Sequence, residues 1–372
     1  MLKCCIVGLG NCGNQIADLA KSTKNIDGVA INSSQNDLMN VKSIPAILVG
    51  DEKGAGKDRT TAKKFVKAAI AKVLNNENFD KLISEQDVVF MVSSIGGGTG
   101  SGMTPMLTDI LSRKYQIPFI IVEIYPPIKE SIGAQQNGME YLNEIRSFLP
   151  NATYMCYDNN KYASLTTSEM MKLVNAEIVE AIDILRGQYM YPTPYNSIDE
   201  KDMLKILSTP GRLAVYQITD FNEKDLDEKS MAERMIDTIR NGSANVELEN
   251  DGLIKRFGSI TNVSPKINDH YYTTTNETVC GVVGEPIESF EHNYVDGDET
   301  SNRYIVIASG MSIPDDRLNK IVQRIEDGTK GLGMMKESSV LDSFDMDAVD
   351  ELRQDEKSTG KLDLDEVFDK YF

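Results

Sequence analysis

The sequence predicts an α/β protein: a doubly wound, mostly parallel sheet forming a nucleotide-binding domain, a long central helix, a smaller second α/β domain and a helical, acidic C-terminal extension. Three observations predict it. Between residues 4 and 157, short β-branched runs alternate with longer amphipathic ones, the pattern of βαβ units feeding a parallel sheet. Two glycine clusters, Gly8-Leu9-Gly10-Asn11-Cys12-Gly13 and Gly96-Gly97-Gly98-Thr99-Gly100-Ser101-Gly102, each follow a strand-like run and open a helix-like one. Residues 168–186 then carry Met171, Val174, Ile178, Ala181, Ile182 and Leu185 at helical spacing, which describes a long, largely buried helix.

In order, residues 4–7 read as a strand, 13–21 as a helix, 29–32 and 46–49 as strands, 60–74 as a helix, 88–94 as a strand, 103–115 as a helix, 119–125 as a strand, 138–148 as a helix and 153–157 as a strand. Ligands of such sheets sit at the carboxyl ends of the strands. After the connector and the loop 188–197, with Pro192 and Pro194, the pattern changes. Residues 212–219, 277–284 and 303–309 read as strands, 231–240 and 315–325 as helices, and 269–276 and 289–302 as loops. The expected boundaries are 1–165 for the nucleotide-binding domain, 166–188 for the connector, 189–330 for the second domain and 331–372 for the C-terminal helix and tail.

Composition excludes several function classes. The 372 residues carry a net charge of −18, so the average surface repels phosphate; direct nucleic-acid or anionic-membrane binding is not expected, and any DNA contact needs an adaptor. No run approaches the ~18 apolar residues of a membrane span, and the first ten residues lack a signal-peptide stretch, so a cytoplasmic protein is expected. Five scattered cysteines without C-x-x-C spacing indicate neither a disulfide framework nor zinc. Only His270 and His292 are present, which leaves any chemistry to backbone amides, carboxylates, amides and bound ions.

Helix N-termini that follow glycine loops favour phosphate. Gly8 to Gly13 matches G-x-G-x-x-G, but the next strand ends at Asn32-Ser33-Ser34 without the acidic residue that binds a dinucleotide's ribose. In the second cluster five glycines let the backbone wrap oxyanions while Thr99 and Ser101 add hydroxyls. It is not a Walker A loop; Gly56-Lys57 is followed by Asp58 where a magnesium-binding hydroxyl is needed.

Gly96 to Gly102 resembles the signature loop of the tubulin and FtsZ superfamily, and Gly10-Asn11-Cys12-Gly13-Asn14-Gln15-Ile16 resembles the first loop of tubulin. The resemblance implies a GTPase that binds GTP or GDP with Mg2+ and stacks head to tail with itself. It places Gly10, Asn11, Cys12 and Gln15 near the nucleotide, Cys12 and Gln15 toward guanine, with Asn32 in the second loop and Gly54, Ala55, Gly56 and Lys57 in a third, γ-phosphate-sensing loop. Gly96, Gly97, Gly98, Thr99, Gly100, Ser101 and Gly102 form the phosphate loop. Pro126, Pro127 and Glu130 reproduce the ribose-loop spacing, with Glu130 the sugar contact; Gly133, Gln135 and Gln136 stand where FtsZ carries basic residues. Asp158-Asn159-Asn160 resembles the guanine-facing loop, with Asn159 the contact, and Asn175 on the connector is another; a buried amide satisfied in the core is the alternative for Asn175.

Asp199 and Asp202, with Glu200 between, open the helix after the connector, where acidic residues stabilise a helix start by capping and dipole. Their place resembles the FtsZ synergy loop, which implies that they reach the nucleotide of the next subunit. Hydrolysis needs an oriented water, and without a usable His a carboxylate must orient it; Asp199 and Asp202 lead, with Glu200 in reserve. Seven basic residues against Asp58 alone between Lys53 and Lys72 suit contact with such an acidic end, although a solvated helix face is the commoner meaning of a basic run.

The last 36 residues contain 12 acidic and 4 basic ones, concentrating negative charge in the tail. Leu341, Phe344, Ala348 and Leu352 mark a helical stripe, and Leu362, Leu364, Val367, Phe368, Tyr371 and Phe372 alternate with acids, as in peptides that order on a partner; a solvated, frayed tail is the plain alternative. Within the superfamily the chain looks most like the phage and plasmid TubZ branch, implying DNA segregation through a DNA-binding adaptor in a bacterial host. A division ring, a phage spindle, a non-hydrolysing nucleotide-gated scaffold and an NAD-dependent oxidoreductase stand as alternatives.

Overall fold

A computed structural model of the chain describes residues 1–50, 53–194, 196–219, 221, 228–244, 253–263, 270–295 and 302–331. In chain order these form β1 (Cys4–Leu9), α1 (Gly10–Lys24), β2 (Asp27–Asn32), α2 (Gln35–Leu38), β3 (Ala46–Leu48), α3 (Arg59–Leu74), α4 (Glu77–Ser84), β4 (Val88–Ser94), α5 (Thr99–Tyr115), β5 (Phe119–Tyr125), α6 (Ile132–Phe148) and β6 (Thr153–Asp158). A short 3-10 turn (Asn159–Tyr162) leads into the long central helix α7 (Thr167–Leu185). The second region comprises α8 (Glu200–Leu207), β7 (Gly211–Thr219), α9 (Glu228–Asn241), β8 (Leu253–Val263), α10 (His270–Val283), β9 (Glu285–Val295), β10 (Arg303–Met311) and α11 (Asp315–Gly331).

All ten strands join one sheet in the order β3-β2-β1-β4-β5-β6-β7-β10-β8-β9. The first six are parallel, and β7 continues them through only two residue pairs, Thr153 with Gly211 and Tyr154 with Arg212. Beyond that narrow join β10 runs antiparallel to both β7 and β8.

Side-chain alternation along the buried strands explains the layers. Ile6, Phe90, Val122 and Met155 point into one core with Ile16 and Ala17 of α1 and Val174 and Ile178 of α7. Cys5, Val7, Val89 and Met91 point the other way, into a core with Val73 of α3, Phe79 and Ile83 of α4 and Leu107 and Ile110 of α5. Farther along the same face Ile121, Tyr125 and Cys156 meet Met139, Leu142 and Ile145 of α6 and Leu318, Ile321 and Ile325 of α11. Central α7 is therefore buried along an apolar stripe, as its spacing predicts, and its start is fixed by a Thr166–Glu169 capping box.

Three expectations for the second region are overturned. Residues 277–283 of the expected strand 277–284, and 270–276 of the expected loop 269–276, form α10 instead; residue 269 lies outside the described residues. Thr275, Val279 and Val283 are fully buried at a four-residue spacing, so helical packing overrides the β-branched propensity of the run. Residues 289–295, expected to be a loop, lie in β9, an edge strand that pairs with β8 alone. Its charged sequence and Pro286 suit an edge, which needs no second ladder. Strand β8 and helix α4 carry no expectation from the sequence. The C-terminal helical stripe and acidic tail lie outside the described residues.

Candidate functional site

The strand order turns back on itself between β1 and β4, and at such a point a crevice opens beyond the carboxyl ends of the strands. Both glycine clusters emerge there. Gly10, at φ +69°, faces Gly100: a Cβ on Gly10 would sit 3.0 Å from the Gly100 amide nitrogen, and one on Gly100 would sit 2.8 Å from Leu9 O. The two loops can touch backbone to backbone only because both positions are glycine. At Gly13 the close neighbour is a strand: a Cβ there would lie 2.0 Å from Val92 O, so this glycine lets α1 lie directly against β4.

Among α1 to α8, helix capping singles out the same place. Helices α2, α3, α4, α6, α7 and α8 each have an N-cap side chain that accepts a hydrogen bond from the first turn: Ser34, Asp58, Asn76, Ser131, Thr166 and Asp199. Helices α1 and α5, capped by Leu9 and Gly98, have none, and neither carries an acid in its first turn. Two long helices thus present uncapped N–H groups and their positive dipole ends at the point where the glycine loops meet, a cradle for an anion.

The other expected nucleotide loops gather around it. Ser33 Oγ and Thr99 Oγ1 are hydrogen-bonded at 2.7 Å, and Gly54 N donates to Ser33 O at 2.9 Å. The carboxamide of Asn32 is committed to its own turn, accepting from Ser34 N at 3.2 Å and donating to Asp37 at 3.3 Å; Ser33 is the second-loop side chain that reaches the phosphate loop. Gly54, Gly56 and Lys57 all have positive φ, and a Cβ on Gly98 would lie 2.8 Å from Lys57 Cα. Lys57 Nζ stands 3.3 Å from Glu130 Oε1, joining the third loop to the ribose-loop candidate. Ser101 is engaged internally, donating to Gly97 O.

On α1, Gln15 Nε2 donates to Asn11 Oδ1 at 3.0 Å, one turn away. Burial pushes the Cys12 thiol up to about 12, which favours its neutral form. Asn159 opens the 3-10 turn after β6, where Asp158 caps the turn by accepting from Asn160 N at 2.9 Å. Asn175 lies buried on α7.

The acidic trio is elsewhere. Asp199 Oδ1 accepts from Asp202 N at 2.9 Å and Asp202 Oδ2 accepts from Asp199 N at 3.2 Å, a reciprocal capping box on α8. Glu200 pairs with the Met1 ammonium at 2.8 Å, which places it at the foot of β1, whereas Gly10 follows the head of the same strand. Six residues of strand span about 20 Å. No chain can bring its own trio to its own glycine loops without dismantling the sheet.

Several residues that hold the site carry no signal of their own in the sequence. Asn137 of α6 donates to Lys57 O at 2.9 Å, Gly97 O at 3.2 Å and Gly96 O at 3.3 Å. Arg59, counted in the basic run, is buried against Glu140 and Glu144 of α6 at 3.0 and 2.6 Å, and Lys63 also meets Glu144; part of that run is thus neutralised within the chain. Arg59 Nη2 donates to Ser101 O at 2.9 Å. Pro105, four residues on, has no N–H to offer that carbonyl, so the arginine replaces the missing helix bond. Arg317 of α11 pairs with Asp158 beneath the expected guanine loop.

Residues 3–167 match the family described as Tubulin/FtsZ family, GTPase domain. They are a tubulin/FtsZ-type GTPase domain. GTPase activity is consistent with that family, and the dinucleotide alternative for Gly8–Gly13 gives way to it. The CetZ tubulin-like protein of Pyrococcus abyssi is 25% identical over 324 residues, covering 83% of this chain and 86% of its own. In fold, the GTPase domain and second region together resemble CetZ2 of Haloferax volcanii, solved as a GTPγS-bound protofilament, with a TM-score of 0.74 at 18% identity over 88% of this chain and 99% of that one. They also resemble the tail-truncated TubZ of Clostridium botulinum phage c-st, with a TM-score of 0.69 at 20% identity over 88% and 98%. No helix among the described residues is long and apolar enough to cross a membrane.

Proposed function

We propose that this chain binds GTP in the cradle between α1 and α5, assembles head to tail into filaments, and hydrolyses GTP where one subunit's acidic trio meets the next subunit's glycine loops. The pair of uncapped helix N-termini at the Gly10–Gly100 contact carries the binding reading. Phosphate oxygens would accept from those N–H groups, with Lys57 the nearby cation and Glu130 placed for the sugar. Among the described residues no three Asp, Glu, His or Cys side chains gather at one point, so a Mg2+ accompanying the nucleotide would take most of its ligands from phosphate and water, as that ion commonly does. The ion would supply charge neutralisation on the phosphates.

The trans arrangement is supported by the separation of glycine loops and trio onto opposite ends of one sheet. Stacking such subunits in one direction apposes head to foot at every junction. Asp199 and Asp202 would then orient or deprotonate the attacking water. Phosphate release per subunit should rise with protein concentration and saturate as filaments form; turnover independent of concentration sinks catalysis in trans.

As for the cellular role, the similarity in fold to a phage TubZ supports filaments that move DNA through an adaptor, the acidic tail serving as polymer or adaptor contact. The archaeal CetZ relatives, which match over most of the chain, support a second reading, a cytoskeletal filament without DNA cargo in an archaeal setting. Deleting residues 361–372 and measuring both filament assembly and adaptor capture separates them: loss of adaptor capture alone supports the first, and loss of assembly with no adaptor found supports the second.

A further inference from the structure

We infer that Asn137 is a positioning residue that lets this site tell GTP from GDP, by tying the third loop to the phosphate loop; this rests on the GTP-binding reading above. Its carboxamide nitrogen lies within hydrogen-bond distance of three carbonyl oxygens, Lys57 O, Gly96 O and Gly97 O, at 2.9, 3.3 and 3.2 Å. That environment fixes the amide orientation, since an oxygen in the same place would face three like dipoles. An amide has two hydrogens. The short bond to Lys57 O takes one, and the other is shared between the two glycine carbonyls as a three-centre bond.

Elsewhere the third loop is held by backbone bonds, Gly54 N to Ser33 O at 2.9 Å and Asp58 N to Ala55 O at 2.8 Å, while its glycines pack loosely. Gly56 at φ +59° has nothing within 4 Å of where a Cβ would be, and Gly54 at φ +84° has only Ser34 Cβ at 3.5 Å. Lys57 adopts φ +63°, a left-handed conformation unfavourable for a residue with a Cβ, and surrounding contacts must maintain it. Those contacts are the Asp58 N to Ala55 O bond that closes the turn around Gly56 and Lys57, the Asn137 bond, the close approach of Gly98 and the exposed ion pair with Glu130. Exposed ion pairs hold little. The side chain of Asn137 is therefore the principal polar tether between Lys57 and the Gly96–Gly97 segment.

Helix α6 makes this tether rigid. Asn137, Glu140 and Glu144 share one face of α6 at helical spacing, and the two glutamates hold Arg59 just beyond the third loop. A nucleotide diphosphate reaching only the glycine loops does not need the third loop in place, whereas a triphosphate that also touches Lys57 and its neighbours does. Removing the tether thus weakens the triphosphate alone, because its binding must then order the loop.

The test is equilibrium binding of GTPγS and GDP to the full chain and to Asn137→Ala and Asn137→Asp. Asp keeps the shape, removes both donors and is the second arm if Ala impairs folding. GTPγS affinity should fall about tenfold or more in each, about what losing one or two backbone-directed bonds supplies, while GDP affinity changes by less than about twofold. Equal losses for both nucleotides, or none for either, overturn the role of Asn137. Wild-type protein that binds neither guanine nucleotide overturns the GTP reading itself, and that failure is seen before any substitution is made.

Discussion

Arg317 of α11 and Asp158 at the end of β6 form a two-pronged ion pair, Nε to Oδ2 at 2.7 Å and Nη2 to Oδ1 at 3.1 Å, with both side chains almost wholly buried. Arg317 Nη2 also donates to Pro126 O at 2.7 Å. One side chain from the last described helix thus fixes the start of both the expected ribose loop and the expected guanine loop, 191 residues away in sequence for Pro126. Arg317→Met should cost about 3–5 kcal/mol, because it strands a buried carboxylate, and should weaken guanine-nucleotide affinity as the Asn159 loop shifts. Adding Asp158→Asn should recover part of the stability. Urea unfolding of the single and double variants checks this; a single variant as stable as wild type contradicts it.

Asp199 is both a helix cap and the leading catalytic candidate, and the two roles are separable. Asn caps a helix as well as Asp does, so Asp199→Asn should leave stability within about 0.5 kcal/mol of wild type while lowering GTP turnover at filament-forming concentrations at least tenfold. Asp199→Ala should lose turnover and also about 1 kcal/mol of stability. If Asp199→Asn turns over GTP at the wild-type rate, the carboxylate has only its capping role.

Glu123, in the middle of β5, is buried beside Tyr125 OH at 3.3 Å and Cys156 Sγ at 3.6 Å, at the inner end of a cavity of about 760 Å³ between α6 and the second region. Burial raises its carboxyl from 4.5 to about 7, with Arg146 opposing the rise. Between those values the folded chain holds a proton that the unfolded chain has released. Stability therefore falls as pH rises through that window, by about 3 kcal/mol in all, and levels off above it. Glu123→Gln should remove this slope, so its advantage over wild type in urea unfolding should be larger at about pH 7.5 than at about pH 5. Parallel pH profiles for the two proteins count against the buried titration.

Two glycines give opposite expectations. Gly13→Ala drives a methyl into Val92 O and should cost about 3 kcal/mol or more, since strand and helix backbones must separate. Gly133→Ala, in the first turn of α6 with open space around its Cβ, should gain about 0.5–1 kcal/mol by restricting the unfolded chain. Thermal unfolding of both decides; a tolerated Gly13→Ala refutes the close packing of α1 on β4.

The first six strands, the connector and both glycine loops were legible because each is written locally. A parallel strand buried on both faces shows as an apolar run, a buried helix shows its period, and a backbone that must approach another backbone shows as glycine. Gly10 and Gly100 are in that last class, although only the structure shows that they face each other. The second region was less legible. The β-branched 277–283 run became α10 because Thr275, Val279 and Val283 pack at a helical repeat, and β9 passed for a loop because an edge strand needs no apolar pattern.

The order of amino acids alone is therefore enough for the fold class, the position of the glycine-loop cradle and the acidic N-terminus of α8. Packing in three dimensions selects which ordinary polar residues serve that cradle: Asn137 tethering the third loop, Arg59 taking the carbonyl left by Pro105, and Arg317 fixing Asp158. Each bond joins residues at least 42 positions apart, and an Asn or Arg in an amphipathic helix looks the same whether it faces water or a loop carbonyl. The same folding put Glu200 beside Met1 at the foot of β1. Because a six-residue strand separates that end from Gly10, only a second copy of the chain can bring the acids and the glycine loops together.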